Sequence, residues 1–399
     1  MIAVYTITSG LHDEESVSRL SDEFLGQVFP EGGYVFKGAD FSDWSTSNLN
    51  LIYVRTGGAE GIFRSLLPEM LARATERYYL LTSGKSNSLA ASLEILSYLK
   101  QQGLKGEVLH GSPEYLQHRI AVLSKAEAAR NYMKGLKIGV VGQPSDWLIA
   151  SKANPTAIMD KLGAKLVEIP MEELLVEIDK APGDQAPVEE RMAKRVRDAY
   201  PGAVRIYNAL KVLVGKYGLG AFTLSCFDLL TAVGNTGCLA LASFNSEGIP
   251  AACEGDVPAL LSMIIASALT GTSGFQANPA RIDTETGIML FAHCTVPFNM
   301  VKNWQYDTHF ESGIGVGIHG ELPEGPVTVF KVSGDLSRCF VAEGELLNNQ
   351  YEDNLCRTQV VLKLSKEDAR YFLTNPIGNH HIILPGHQRE LLEEIIKAS

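Results

Sequence analysis

The chain has 399 residues, of which 45% are hydrophobic and 20% are charged, and its formal net charge is −11 at pH 7. This length allows two or three domains with sizeable cores, and the composition is that of an ordinary globular protein. Such an acidic chain is unsuited to nucleic acid and favours a small substrate or a cation, and the lack of a long apolar run predicts no membrane helix.

Cysteine usage and the first residues bear on the cellular compartment. The six cysteines, at positions 226, 238, 253, 294, 339 and 356, form no CxxC pair. The opening MIAVYTITSG lacks the basic stretch and the cleavage pattern of a signal peptide, and its apolar run indicates a strand. We therefore expect a cytoplasmic protein whose thiols are reduced and mostly serve as small core residues.

Residues 1–134 alternate strand patterns with helical ones. Strands are expected at IAVYTIT, NLNLIYVR, RYYLLTS and GEVLHGS, and a segment of helical periodicity follows each of them. Strands that alternate with helices predict a parallel sheet covered on both faces. We therefore interpret residues 1–134 as an N-terminal α/β domain.

The same alternation continues over residues 135–290, with strands expected at LKIGVV, AKLVEIP, FTLSCF and IPAACEGD. After about residue 295 the pattern changes to short alternating runs separated by Gly and Pro turns, which is typical of antiparallel β structure. The predicted fold is α/β, with two doubly wound parallel-sheet domains (1–134 and 135–290) followed by a mainly antiparallel β domain (291–399).

Acidic residues cluster at two predicted strand ends in the second domain. Asp228 follows FTLSCF, and Glu254 and Asp256 end the strand IPAACEGD. Ligands of α/β proteins bind at the carboxyl ends of strands, and carboxylate and imidazole ligands suit Mn²⁺, Mg²⁺ or Co²⁺. A plainer interpretation is that Glu254 and Asp256 only cap the apolar helix that follows.

The segments FDLL, CEGD and NHH together resemble the L-fucose isomerase and L-arabinose isomerase family, over the second half of the chain. The resemblance implies that Asp228, Glu254 and His381 bind Mn²⁺, or else Mg²⁺ or Co²⁺. Asp256 is the alternative to Glu254, or else it contacts the substrate or supports the ligands. Asn379 and His380 would contact substrate or support the ligands, because adjacent side chains of a strand point to opposite faces.

The resemblance further implies a metal-dependent aldose–ketose isomerase that acts on a small sugar through an ene-diolate. Asp228 and Glu254 would serve as acid and base. A homo-oligomer, a trimer or hexamer, is expected from the same family. His293 is a candidate neighbour of the site or a plain strand-end histidine, and Arg357 could hold a polar group of the substrate or form a surface pair.

Two other functions stay open at this point. One is a relative of the same fold that binds a sugar without isomerising it or performs different metal chemistry. The short length of the chain and the aspartate at position 228, where the family usually has glutamate, favour it. The other is a periplasmic-type sugar-binding module, against which the missing signal peptide counts.

Overall fold

The computed structural model describes residues 1–73, 77–183 and 192–397. The chain forms two compact units, Met1–Asn131 and Tyr132–Ser399. Among the helices of the described residues, none has the length and apolar character needed to cross a bilayer.

The first unit is built on a five-stranded parallel sheet with the strand order β2-β1-β3-β4-β5. Its elements, in chain order, are β1 (Ile2–Ile7), α1 (Glu14–Val28), β2 (Tyr34–Gly38), β3 (Leu49–Val54), α2 (Glu60–Ala72), β4 (Arg77–Leu81), α3 (Ser88–Gln101), β5 (Lys105–Leu109) and α4 (Pro113–Met133). Nearly every residue of β1, β3 and β4 is buried. Such continuous burial is what apolar strands show when helices cover both faces of a parallel sheet.

The second unit begins with a four-stranded parallel sheet in the order β7-β6-β8-β9. The elements of this part are β6 (Lys137–Val141), α5 (Pro155–Leu162), β7 (Lys165–Ile169), α6 (Met171–Lys180), α7 (Lys194–Tyr217), β8 (Ala221–Leu224), α8 (Cys226–Val233), α9 (Cys238–Ser246), β9 (Ala251–Cys253) and α10 (Val257–Thr270). The strand order reverses between β6 and β8. Open α/β sheets bind ligands beyond the carboxyl ends of the strands at such a reversal.

A closed antiparallel barrel with the strand order β10-β11-β16-β15-β14-β17 completes the second unit, while β12 and β13 form a two-stranded sheet. The elements are β10 (Phe275–Asp283), β11 (Ile288–His293), β12 (Asn303–Asp307), β13 (Gly317–Glu321), β14 (Gly325–Val332), β15 (Cys339–Gln350), β16 (Thr358–Lys363), α11 (Lys366–Thr374), β17 (His381–Pro385) and α12 (Arg389–Lys397). The barrel interior is a continuous apolar core that includes Phe275, Phe291 and Val329.

Helix α10 joins the four-stranded sheet to the barrel. Its sequence VPALLSMIIASALT is apolar on all sides, and most of its residues are buried. It packs against β8 and β9 of the sheet and against β14 and β17 of the barrel. A helix that is apolar all round needs partners on every side. The carboxyl end of β9, where α10 starts, is thereby held next to the start of β17.

The predicted fold class, two parallel-sheet α/β parts followed by antiparallel β structure, is confirmed. The barrel begins with β10 at Phe275, so its first strand precedes residue 291 and its second, β11, already starts at Ile288. The domain boundaries at residues 134 and 290 stay predictions.

Candidate metal site

Glu254 is the first residue after β9, and it is held in an unusual backbone conformation. Its φ of 65° lies in the left-handed region, which non-glycine residues rarely adopt. Its carbonyl oxygen accepts a hydrogen bond from the backbone N–H of Ser145 at 3.0 Å. Its Oε2 accepts one from the indole N–H of Trp147 at 2.8 Å. Strained residues of this kind persist where the surroundings fix them, and they concentrate at functional sites.

His380 lies just before β17 and is fully buried. Its Nδ1 is 2.8 Å from Oδ2 of Asp256, the residue that also caps α10 by accepting a hydrogen bond from the N–H of Ala259. Its Nε2 lies 3.4 Å from Oε1 of Glu254. Within the described part of the chain, this Nε2 has no hydrogen-bond partner. A carboxylate therefore orients one side of the imidazole and leaves the other nitrogen available as a ligand.

His293 ends strand β11 and completes the group. Its Nδ1 is 2.9 Å from the hydroxyl of Thr295, and its ring meets the ring of His380 edge to face at 5.4 Å. Glu254, His293 and His380 each offer a ligand atom, and the three atoms lie within 4.8 Å of one another. All three residues are buried. A buried Glu/His/His group of this size can hold a metal ion.

Charge interactions in the group are strong because water is largely excluded. Burial alone would lower the pKa of His380, but the hydrogen bond to Asp256 and the negative charges of Glu254 and Asp256 raise it to about 9. Burial would raise the pKa of Glu254, but His380 outweighs burial and lowers it to about 2. Burial and the charge of His380 lower the pKa of His293 to about 3. The protein without metal thus keeps a proton on His380, and a cation bound there would displace it.

Asp256 carries a second buried contact, to Lys331 of β14. The ammonium nitrogen of Lys331 lies 3.5 Å from Oδ2 of Asp256, and both side chains are fully buried. Burial opposes ionisation of Asp256, but Lys331 and His380 hold its pKa well below the ordinary value. Asp256 is therefore the anion on which His380 and Lys331 both depend.

A pocket lies beside Glu254 and His293. Its lining residues are Cys226, Phe227, Leu230, Thr236, Cys238, Cys253, Glu254, Asn278, His293, Cys294, His309, Glu311 and Cys356. This mixture of apolar walls with a few polar groups is typical of sites for small ligands. Cys226, Cys238, Cys253 and Cys294 are buried, which fits the expectation that the cysteines are small core residues. These four also line the pocket.

The donor set fits a divalent metal. Two imidazoles and one carboxylate form a nitrogen and oxygen site for Mn²⁺, Fe²⁺, Co²⁺ or Zn²⁺. The Nδ1 atoms of both rings already have partners, so each ring presents Nε2 to the group. The unpartnered, buried Nε2 of His380 is the clearest sign, because buried polar atoms normally have a partner.

The structure brings together part of the predicted site. Glu254 and His380 lie in the group with His293, which the sequence had offered only as a neighbour. Asp256 caps α10, as the plainer interpretation expected. The same carboxylate also orients His380 through its other oxygen. Asn379 donates a hydrogen bond to Asn278, which lines the pocket.

His381, the predicted imidazole ligand, lies on the other side of its strand. Its Nδ1 is 3.0 Å from the carbonyl oxygen of Asn379, and its Nε2 is 3.2 Å from the hydroxyl of Tyr371. Its ring packs against Phe340 and Phe372 in the aromatic core. The geometry therefore favours His380 as the ligand, and the predicted opposite orientation of the two histidines agrees with these contacts.

Asp228, the predicted first carboxylate, lies in helix α8 and is not a member of the group. Its Oδ2 accepts a hydrogen bond from the hydroxyl of Ser225 at 2.7 Å. It borders a different pocket, together with Glu168 and Glu172. Glu311 and Glu254 are instead the carboxylates that line the pocket beside the histidines.

Arg357 holds the segment that carries His309 and Glu311. Its guanidinium donates to the carbonyl oxygen of Thr308 at 2.8 Å, pairs with Asp307 at 3.4 Å and lies over the ring of Phe310. These contacts make it a support for the pocket wall.

Sequence reasoning missed Trp147, Lys331, His309 and Glu311. Among these four, only Trp147 had a signal in the sequence, because it follows the predicted strand LKIGVV. That strand is β6, which lies at the reversal of strand order. Lys331 is part of an apolar strand, and the segment of His309 and Glu311 has no regular pattern.

Comparison with known proteins finds sugar isomerases, while no family model matches the chain. The sulfoquinovose isomerase of Clostridium sp. (strain MSTE9) is 27% identical over 288 residues, which is 65% of this chain and 62% of that protein. The sulfoquinovose isomerase of Priestia aryabhattai is 25% identical, over 75% of this chain and 71% of that protein. The one of Alkalicoccus urumqiensis is 23% identical, over 69% of this chain and 66% of that protein. The match thus spans less than two thirds of the Clostridium protein, and the relatives' names agree with the predicted sugar isomerase.

Proposed function

We propose that this chain is a metal-dependent aldose–ketose isomerase. The observation that carries the proposal is the buried group of Glu254, His293 and His380, whose ligand atoms lie within 4.8 Å of one another beside a pocket. The names of the relatives support the same reaction class.

The residues that would hold the metal are Glu254 through Oε1 and the two histidines through Nε2. When bound, a divalent cation such as Mn²⁺ would supply Lewis-acid polarisation of neighbouring sugar oxygens. Asp256 keeps the His380 ring oriented, and Thr295 does the same for His293. We propose Mn²⁺ as the cofactor, on the resemblance to the fucose and arabinose isomerases.

Interconversion of an aldose and a ketose requires a proton to move between C1 and C2. We assign this transfer to Glu311, which lines the pocket while remaining exposed to solvent. Partial burial and the negative charge of Glu254 raise the pKa of Glu311 above its ordinary value. A raised pKa suits a carboxylate that must both accept and return a proton near neutral pH. Burial lowers the pKa of His309, so its neutral ring can hydrogen-bond to a sugar hydroxyl.

For the substrate we propose sulfoquinovose or a closely related aldose with a sulfonate at C6. The names of the relatives are the support for this choice. The cytoplasmic location and the homo-oligomer, a trimer or hexamer, remain proposals that rest on the sequence and its resemblance.

The test is a proton NMR assay of purified protein in D₂O with added Mn²⁺. The substrates are sulfoquinovose, glucose, L-fucose and L-arabinose, and a sample treated with EDTA is the control. With sulfoquinovose we expect a ketose signal, with deuterium at C1 of the ketose and at C2 of the recovered aldose, and none of these after EDTA. Tight metal binding without turnover of any sugar would favour the non-isomerising relative, and failure to bind a divalent metal would refute the proposal.

A further inference from the structure

The segment after β6 contacts Glu254 at two points. The backbone N–H of Ser145 donates to the carbonyl oxygen of Glu254, and the indole N–H of Trp147 donates to Oε2. One contact fixes the backbone and the other fixes the side chain. Glu254 therefore has little freedom to rotate about its side-chain bonds.

Trp147 is a half-exposed aromatic residue that packs against Phe227. Its side chain is 54% exposed, and its ring contact is an edge-to-face one with Phe227 at 4.8 Å. A tryptophan that serves as core packing is normally buried far more completely. The indole nitrogen, which is the single polar atom of this side chain, donates its hydrogen bond to Glu254. This indicates a role for the N–H itself.

The two oxygens of Glu254 thereby acquire different roles. Oε2 is occupied by the indole, while Oε1 lies 3.4 Å from the unpartnered Nε2 of His380. A free carboxylate could turn and present both oxygens to the histidines. With Oε2 held, only Oε1 faces them.

We propose that Trp147 is a positioning residue, whose indole N–H holds one oxygen of Glu254 so that the other alone faces His293 and His380. The inference rests on the proposed function, since it assumes that a cation binds this group. Hydrogen-bond partners that orient ligands are commonly worth about 10- to 100-fold in metal affinity.

The test compares Trp147→Phe with Trp304→Phe by calorimetric titration of the metal-free proteins with Mn²⁺. Phenylalanine keeps an aromatic ring beside Phe227 and removes the N–H. Trp304 is similarly exposed, at 50%, and packs on Phe298 in the β12 region. We expect about 10- to 100-fold weaker Mn²⁺ binding for Trp147→Phe and unchanged binding for Trp304→Phe. Circular dichroism checks that each variant is folded, and Trp147→Leu is the second variant if the first is not.

Tryptophan fluorescence gives a readout that needs no substrate. Co²⁺ bound beside Glu254 should quench Trp147 in the wild type and in Trp304→Phe, and this quenching should disappear in Trp147→Phe. Equal Mn²⁺ affinity in Trp147→Phe and the wild type would overturn the inference alone. Failure of the wild type to bind Mn²⁺ would overturn the metal site, and the inference with it.

Discussion

The Nδ1 atom of His380 lies 2.8 Å from Oδ2 of Asp256, and both side chains are fully buried. Asp256 is the N-cap of α10, while His380 immediately precedes barrel strand β17. The contact therefore ties the end of the parallel sheet to the barrel, and it orients the imidazole toward Glu254. Lys331 shares the same carboxylate oxygen, so one buried anion faces two cations.

Replacement of Asp256 by asparagine should destabilise the protein strongly. Removing one partner of a buried ion pair leaves the other charge unpaired, at a cost of about 3–5 kcal/mol. Lys331→Met should cost less, because Asp256 keeps His380 as its partner. Chemical denaturation of both single variants and of the double variant gives the coupling energy. Additive costs would mean that Lys331 and Asp256 do not interact appreciably.

Glu254→Gln should abolish isomerisation and Mn²⁺ binding and leave the fold intact. Glutamine keeps the size of the side chain and can still accept the hydrogen bond from Trp147, but it loses the charge that attracts a cation. Without the bound cation, the polarisation of the sugar oxygens that drives the proposed reaction is lost as well. Turnover, Mn²⁺ titration and melting temperature are measured side by side.

Asp228→Asn is the matched control for Glu254→Gln. The structure places Asp228 outside the Glu/His/His group, so this variant should bind Mn²⁺ like the wild type. If Asp228→Asn lost the metal as Glu254→Gln does, the ligand set inferred from the sequence, which contains both carboxylates, would be the better one.

The sequence predicted the region of the site more accurately than the individual residues that form it. Strand ends and acidic residues pointed to Glu254 and Asp256, and the NHH segment pointed to the histidine pair. Which histidine faces the site depends on the register of β17, where His381 pairs with Ala277 of β10. That register is set by closure of the barrel, and a local pattern of residues does not contain it.

Long-range contacts explain the other residues that the sequence did not reveal. His293 and His380 are far apart in the chain, and only pairing of β10 with β11 and β17 brings their strands near each other. Lys331 lies within the buried strand β14, and the sequence alone does not explain a charged residue there. The structure explains it, because Asp256 lies beside it. The parallel sheets, in contrast, follow from local alternation of strands and helices and were predicted correctly.

Glu311→Gln should slow the reaction while preserving the metal site. If Glu311 is the base, its ionised form is required, so the rate should fall as pH drops through its raised pKa. The wild type should therefore lose activity at a higher pH than an ordinary glutamate would dictate. The variant should show a kcat lower by about 10²- to 10⁴-fold, no such loss at acidic pH, and normal Mn²⁺ affinity. An acidic limb that persists in Glu311→Gln would assign the titration to another group.

Gly255→Ala should damage both stability and metal binding, because Gly255 is where the sheet end meets the segment of Trp147. Its φ is +69°, and a Cβ there would lie 2.6 Å from Cα of Pro144, which is a backbone atom that cannot move alone. Relief of this clash must displace the segment 143–147, which holds Glu254 through Ser145 and Trp147.

Gly271→Ala is the control for Gly255→Ala, because it introduces the backbone strain of a positive φ without a steric clash. Gly271 ends the same helix α10 with a φ of +78°, and a Cβ there would meet nothing within 4 Å. Both variants should lose about 1–2 kcal/mol from the left-handed conformation, as measured by denaturation. Gly255→Ala should lose more than this and should bind Mn²⁺ more weakly, whereas Gly271→Ala should bind it normally. Equal losses of stability and equal Mn²⁺ affinities in the two variants would show that the contact with Pro144 does not hold Glu254 in place.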